Sequence, residues 1–441
     1  MKRTSKLFSR LFRKGSTDVA LPSAFLGLTL SCHVLAAPHA EPSRVTIGLA
    51  LADIDYFYRE GKKPPLESYP ARAAYYRAVA NLKRSDEWAD RCISNSDVNG
   101  QAGSYALYQC MSIAAGNKRI RNDIDGWARD MIAIRRLVAS SATLTAIADA
   151  ENLDLAKTPF ESFVGLQPLT VEGDLNKITD VPIRYINQWP VVELRLSGGA
   201  DGIKRSMDVE FVVDTGSPTS TVSSGFSERL KLSKVSDYQN EVRRDRRSRS
   251  ALVEPVDLSI GGITLRNVSL VENEQTTINV IGQDVLRALG PTLLNDEVLR
   301  ILGRSWKYTG CDQRLRMTSH PTGRYWQLWM PAVINGTSSL LHIDTGMSGV
   351  LEVHGLRNPP KTLPPFTPNR VSTMVGPVDR TESKMVVNVN GSELDNTMDA
   401  LVVQEKGVAP METWRLGGGI LKTHDLLINL DAMFLCVYKR G

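Results

Sequence analysis

Two identical tripeptides, Asp214-Thr215-Gly216 and Asp344-Thr345-Gly346, each close a run of apolar residues: Phe211-Val212-Val213 before the first, Leu340-Leu341-His342-Ile343 before the second. A carboxylate at the end of a buried strand is positioned by the sheet rather than by a flexible loop. The glycine beyond it lets the chain turn tightly and brings backbone N–H groups near the acid. If two such turns meet, their carboxylates lie too close for both to ionise readily, and the pair shares one proton over a wide pH range. One carboxylate then acts as general base on a water while the protonated one polarises a carbonyl. Hydrolysis by direct attack of water follows, and it requires no covalent intermediate, metal or cofactor.

The tripeptides belong to a longer repeat. A glycine turn comes 47 residues after each Asp, at Gly261 and Gly391. An apolar residue followed by Gly comes later in each copy, Ile281-Gly282 and Leu416-Gly417, and each pair runs into a hydrophobic segment. Landmarks recurring in one order, about 130 residues apart, predict two homologous halves that bring their acids together across a pseudo-two-fold axis.

On these residues, the region 180–441 resembles the pepsin/retropepsin superfamily of aspartic peptidases. Each half is compact, nearer to a retropepsin subunit than to a pepsin lobe. The resemblance therefore implies a mainly β, bilobal aspartic-protease fold, a double retropepsin-like β-barrel, with one lobe at 180–303 and the other at 304–441. It implies that Asp214 and Asp344 are the catalytic dyad and that Thr215 and Thr345 form a hydrogen-bonded grip between the loops. Gly216 and Gly346 would hold the turns, and the Ser217 hydroxyl would reach the outer oxygen of Asp214. Tyr238, Ile281, Gly282, Leu416 and Gly417 are expected to border the substrate. Flap hairpins are expected near Tyr238–Leu252 and Ser372–Lys384. The implied activity is that of an endopeptidase on a protein or peptide substrate, monomeric because both half-sites lie in one chain. Two places depart from the family pattern: Met347, where Ser, Thr or Ala is usual, and Trp414-Arg415, where an aliphatic residue is more usual. Met347 keeps a second reading open, a catalytically silent scaffold that binds a protein partner.

The elements that must position these residues are legible in outline. From about residue 180, short runs rich in Val, Ile and Leu alternate with Gly- and Asn-containing turns, the texture of β structure. Asn335-Gly336 and Asn390-Gly391 read as hairpin turns. The Pro-rich stretch 359–368 cannot sit inside a sheet. Ahead of this, residues 41–165 form a small helical domain. Ala71, Ala74, Tyr75, Ala78, Val79 and Leu82 repeat at helical spacing after Pro70, a good first-turn residue. A second helix is expected from Gln101 to Ala115, capped by Gly116, and a third along Ile120, Ile124, Trp127, Met131, Ile134 and Val138. Arg243, Arg244, Arg246, Arg247 and Arg249 crowd the first flap candidate and read chiefly as a solvated hairpin tip.

Composition bounds the remaining possibilities. A chain of 441 residues with 42% hydrophobic and 23% charged residues is ordinary for a folded multidomain protein. Its formal charge of +5 is accounted for by residues 1–40, so charge predicts no nucleic-acid partner. That basic start, followed by the apolar stretch 20–37 and small residues, reads as a signal peptide of bacterial appearance. It predicts a periplasmic or secreted protein with no stable membrane insertion after cleavage; lipidation at Cys32 is a lesser alternative. Among the remaining cysteines, Cys92 with Cys110 and Cys311 with Cys436 are the expected disulfides. No CxxC or HExxH pattern points to a metal.

Overall fold

The computed structural model describes residues 42–440 except 97–100, 152, 154, 200–202, 244–245, 275, 307–312, 357–358, 374–375, 392–393 and 405–411. The expected leader with Cys32, and also Cys311, lie outside the described residues.

Seven helices occupy residues 44–150 among the described residues: Arg44–Leu51, Ile54–Glu60, Pro65–Ala78, Leu82–Asn95, Gln101–Ile120, Ile124–Ala139 and Ala142–Ala150. Their starts carry side-chain caps that satisfy otherwise orphaned N–H groups. Ser43 Oγ accepts from Thr46 N at 3.0 Å, Asn81 Oδ1 from Arg84 N at 3.1 Å and Asp123 Oδ1 from Gly126 N at 2.9 Å. Pro65, not Pro70, occupies the first turn of its helix. That helix stops before Leu82, because Ala80 turns the chain at φ 61° and Asn81 caps a new one. Gly116 is not a cap. Its helix runs through it to Ile120, and a Cβ there would lie 2.1 Å from the Pro321 carbonyl oxygen. Glycine is needed for close approach rather than for termination. Cys92 and Cys110 form the expected disulfide between two helices; Cys436 is also disulfide-bonded.

The helical region is docked on the β structure by polar contacts as well as apolar ones. Arg77 is fully buried. It donates to Asn117 Oδ1 at 2.8 Å, to the His320 and Pro321 carbonyls at 3.1 and 2.6 Å, and to the Ile113 carbonyl. Trp127 Nε1 donates to the Thr322 carbonyl at 3.1 Å. Trp127, Phe160 and Phe163 share an apolar cluster with Leu252 and Val271 of the β region.

The chain is mostly β beyond residue 170, and among the described residues the strands form three sheets. An eleven-stranded sheet takes its strands from residues 170–281, and an eight-stranded sheet from 316–417. The third, five-stranded sheet mixes both regions: Thr292–Leu294 pairs on one side with Val298–Ile301 and on the other with His424–Asn429. Backbone hydrogen bonding thus crosses the boundary expected at 303/304, and the last strands, to Lys439, complete a sheet begun in the first half. Antiparallel strand pairs stand at both positions where flaps are expected, Lys234–Arg243 with Arg246–Val253, and Thr367–Thr373 with Gly376–Gly391. The side chains of 237–249, which include Tyr238 and the arginine cluster, lie outside the described residues. Asn335 and Gly336 form the expected turn with φ of 48° and 77°. Asn390 and Gly391 instead end a strand, paired with Asp395 and Leu394.

Candidate active site

Each acid-bearing turn is held by the same strand arrangement. In the first copy, the strand Arg205–Val213 runs parallel to Val280–Ile281, with Ile281 opposite Val213, and Asp214 N donates to the Ile281 carbonyl at 2.9 Å. In the second, the strand Thr337–Asp344 runs parallel to Thr413–Gly417, with Leu416 opposite Ile343 and Gly417 opposite Asp344. The strand ends are anchored in one continuous core that includes Phe211, Val213, Ile281, Leu341, Ile343 and Leu416. The turns themselves also match: Ser217 N donates to the Asp214 carbonyl at 3.3 Å and Met347 N to the Asp344 carbonyl at 3.0 Å.

The two turns meet. Thr215 N donates to Thr345 Oγ1 at 3.0 Å and Thr345 N to Thr215 Oγ1 at 3.1 Å. Each hydroxyl then donates across to the strand of the other copy: Thr215 Oγ1 to the Ile343 carbonyl at 3.0 Å, Thr345 Oγ1 to the Val213 carbonyl at 2.6 Å. Both threonines are buried. Gly216 sits directly against the opposite acid, where a Cβ would lie 2.7 Å from Asp344 Cγ.

Asp214 is buried, and its Oδ1 accepts the N–H groups of Gly216 at 2.8 Å and Ser217 at 3.2 Å. Its carboxyl is held well above the usual range, first by loss of hydration and then by the neighbouring charge and hydrogen bonding of Asp344. The N–H groups of Gly216 and Gly346 oppose that shift. The pair therefore retains a proton where an isolated carboxyl would have lost it. The Ser217 hydroxyl does not supply the expected contact to Asp214: it donates to the Thr219 carbonyl at 2.8 Å, and the backbone N–H makes the contact instead.

The apolar–Gly pairs are backing, not lining. Ile281 and Leu416 are fully buried in the core. Gly282 is packed so that a Cβ would fall 2.6 Å from the Thr219 backbone, and at Gly417 it would fall 2.2 Å from the Gly349 carbonyl oxygen and 2.5 Å from Met347 Cε. These four residues, expected at the substrate, hold the acid-bearing loops from behind. Met347 lies across Gly417, and its turn keeps the backbone hydrogen bond that Ser217 makes in the first copy.

Further buried side chains, outside the Asp-Thr-Gly triplets, brace the site. Gln283, buried, donates to the Thr215 carbonyl at 2.7 Å and accepts from Trp326 Nε1 at 2.8 Å, joining the first acid loop to a strand of the other half. Asp284, also buried, accepts from Ser220 N and Oγ at 3.0 and 2.6 Å, and Ser220 Oγ accepts from Gly282 N at 2.9 Å. Burial raises the Asp284 carboxyl, against the pull of those donors. His342, two residues before Asp344, places Nδ1 4.0 Å from Asp344 Oδ2. The available signals were a polar Gln-Asp pair straight after Gly282 and a histidine interrupting an apolar run. Among the described residues no cluster of His, Cys, Asp or Glu could hold a metal ion.

A protein-family model described as "gag-polyprotein putative aspartyl protease" matches residues 203–288, which contain the first Asp-Thr-Gly and the Ile281-Gly282 pair. This part of the chain is similar to retropepsin-like aspartic-protease domains. No curated protein matches the chain. Similar solved structures include one titled "Crystal structure of edgp", at 11% identity and TM-score 0.35, and basic 7S globulin from soybean, at 11% and 0.34. Each covers 60% of this chain and 95% of its own.

Proposed function

We propose that the chain is a single-chain, two-lobed aspartic endopeptidase in which Asp214 and Asp344 form one catalytic pair. The observation that carries this reading is the reciprocal exchange between Thr215 and Thr345, which ties two acid-bearing turns from distant parts of one chain into a single site. The ionised member of the pair takes a proton from water as it attacks the scissile carbonyl, and the protonated member donates to the carbonyl oxygen. Return of a proton to the leaving nitrogen completes cleavage. Charge stays constant through these transfers, so the buried site needs no counterion to appear during turnover.

The second reading, a silent scaffold, draws on Met347 alone. Against it, Met347 leaves the second turn intact, and the raised Asp214 carboxyl is the state the mechanism requires. Both half-sites lie in one chain, which supports a working monomer on a protein or peptide substrate. The basic, apolar leader and the Cys92–Cys110 disulfide support export to an oxidising compartment. The test is cleavage of a diverse peptide library from pH 3 to 8 by the wild type and by Asp214→Asn and Asp344→Asn. General acid–base participation predicts losses of roughly 10²–10⁴-fold or more in both variants with the fold retained. Undiminished cleavage in either variant would sink the dyad.

A further inference from the structure

Alternation along the second acid-bearing strand separates two faces. Leu341 and Ile343 point into the core, so His342 shares the opposite face with Asp344. Pairing extends that face into a row. His342 stands opposite Trp329 on one side and Arg415 on the other, and Arg415 stands opposite Glu352. The flanking Trp414, Leu416, Leu351 and Val353 all belong to the core, which keeps Arg415 and Glu352 on the face of the acid. In the first half the same positions beside Asp214 are Val191, Val212, Val280 and Thr221. Val191 and Val212 there pack with Trp189 and Ile278 in an apolar cluster. The two flanks of the acid pair are therefore chemically unlike.

The polar flank also holds donors that nothing among the described residues satisfies. His342 is 3% exposed, and neither ring nitrogen has a hydrogen-bond partner among the described residues. Its ring lies against Trp329, with centroids 5.0 Å apart. Arg415 is half-buried; its Nε is buried and unpartnered, and the side chain makes no ion pair among the described residues. Glu352, although opposite Arg415, is engaged elsewhere: it accepts from Arg380 at 3.1 and 3.3 Å and lies 3.2 Å from His354 Nε2. Arg380 also binds Glu382. Burial drives the His342 ring down to about 4, with Arg415 acting in the same direction and Asp344 against it. At neutral pH the imidazole is thus uncharged and presents one N–H. Buried donors without partners are costly unless a ligand completes them.

We propose that Arg415 and His342 form a subsite for a carboxylate side chain of the substrate, next to the scissile bond on the Asp344 side, while the Asp214 side takes an apolar residue. The inference rests on the peptidase reading. A carboxylate matches the planar guanidinium, whose parallel N–H groups it can accept together, and the imidazole N–H supplies a further donor. The Arg415 charge offsets the repulsion such a group would otherwise meet from the acid pair.

The test uses matched peptides carrying Glu, Gln, Leu or Lys on one side of the cleaved bond and then on the other. The wild type is expected to prefer Glu over Gln by about 10–100-fold in kcat/KM on one side only, the scale of a charge-assisted hydrogen bond. Arg415→Gln should collapse that Glu/Gln ratio towards one, Arg415→Lys should retain part of it, and His342→Leu should shift the preference towards Leu. The same peptides are titrated onto Asp214→Asn protein, where binding is read without cleavage, with melting curves checking the fold of each variant. Equal treatment of Glu and Gln on both sides, in cleavage and in binding, would overturn the subsite. A Glu preference in binding with no cleavage by the wild type would retain the subsite and remove the peptidase.

Discussion

Thr215 and Thr345 each accept the other's backbone N–H, at 3.0 and 3.1 Å, and each donates its hydroxyl to the strand that carries the other acid. Neither acid-bearing turn is complete by itself. The two carboxyl groups are held together by four hydrogen bonds made entirely between residues flanking them, so the spacing of the pair depends on the grip rather than on the acids.

Thr215→Val keeps the shape but removes one hydrogen bond to the Ile343 carbonyl and strands the Thr345 N–H. The expected cost is roughly 2–4 kcal/mol in denaturant unfolding. Thr345→Val should cost a similar amount by stranding the Thr215 N–H. Because both act on one network, the double variant should lose less than the sum of the two. Additive losses would mean that the threonines act independently.

Asp214 has its carboxyl raised on folding, so its protonated form is favoured in the native state. Between the unfolded and folded pKa the native protein binds more protons than the unfolded chain, and stability falls as pH rises through that window. Its contribution is fully present below the unfolded value near 3.8. Asp214→Asn cannot ionise. Its stability relative to wild type should therefore improve from pH 4 to pH 7, by about 1.4 kcal/mol for each pKa unit of the shift. A difference that stays flat across that range would contradict the raised carboxyl.

Gln283 reaches the acid loop and the opposite half at once, through the Thr215 carbonyl and Trp326 Nε1. Gln283→Met fills much the same volume and can make neither contact. Its effect should fall mainly on kcat, by about tenfold for about 1.4 kcal/mol of lost alignment. Gln283→Glu keeps the acceptor for Trp326 and should recover part of the loss, which a purely space-filling role would not give. A loss confined to KM would assign the residue to binding instead.

Arg77 links the helical region to the loop that leads into Trp326, through the His320 and Pro321 carbonyls. Burial lowers its guanidinium to about 9, against the pull of Asp86. Arg77→Met should leave those acceptors unpaired and cost roughly 2–4 kcal/mol. The measurement is the unfolding midpoint of the full chain, together with protease sensitivity of residues 42–150. No change in either would mean that the helices dock through apolar contact alone.

Much of this was written in local pattern. Two Asp-Thr-Gly triplets after apolar runs, two apolar–Gly pairs and the glycine turns specified strand ends, turn positions and which residues would be acids at the site, because side-chain alternation and the backbone freedom of glycine act over a few neighbouring residues. Helical periodicity likewise marked residues 66–150, and the Cys92–Cys110 pair could be read from spacing. What only the tertiary structure decided involves groups distant in the chain. Gly116 reads as a cap until the 321–323 loop is packed against it. Ile281 and Leu416 read as pocket residues until the parallel pairing turns them into the core. The five-stranded sheet joins residues 292–301 to 424–439, and no local pattern specifies that partner. His342 and Arg415 lie 73 positions apart and carry no shared signal. Strand register alone sets them side by side on the face of Asp344, and burial then leaves their donors unmet.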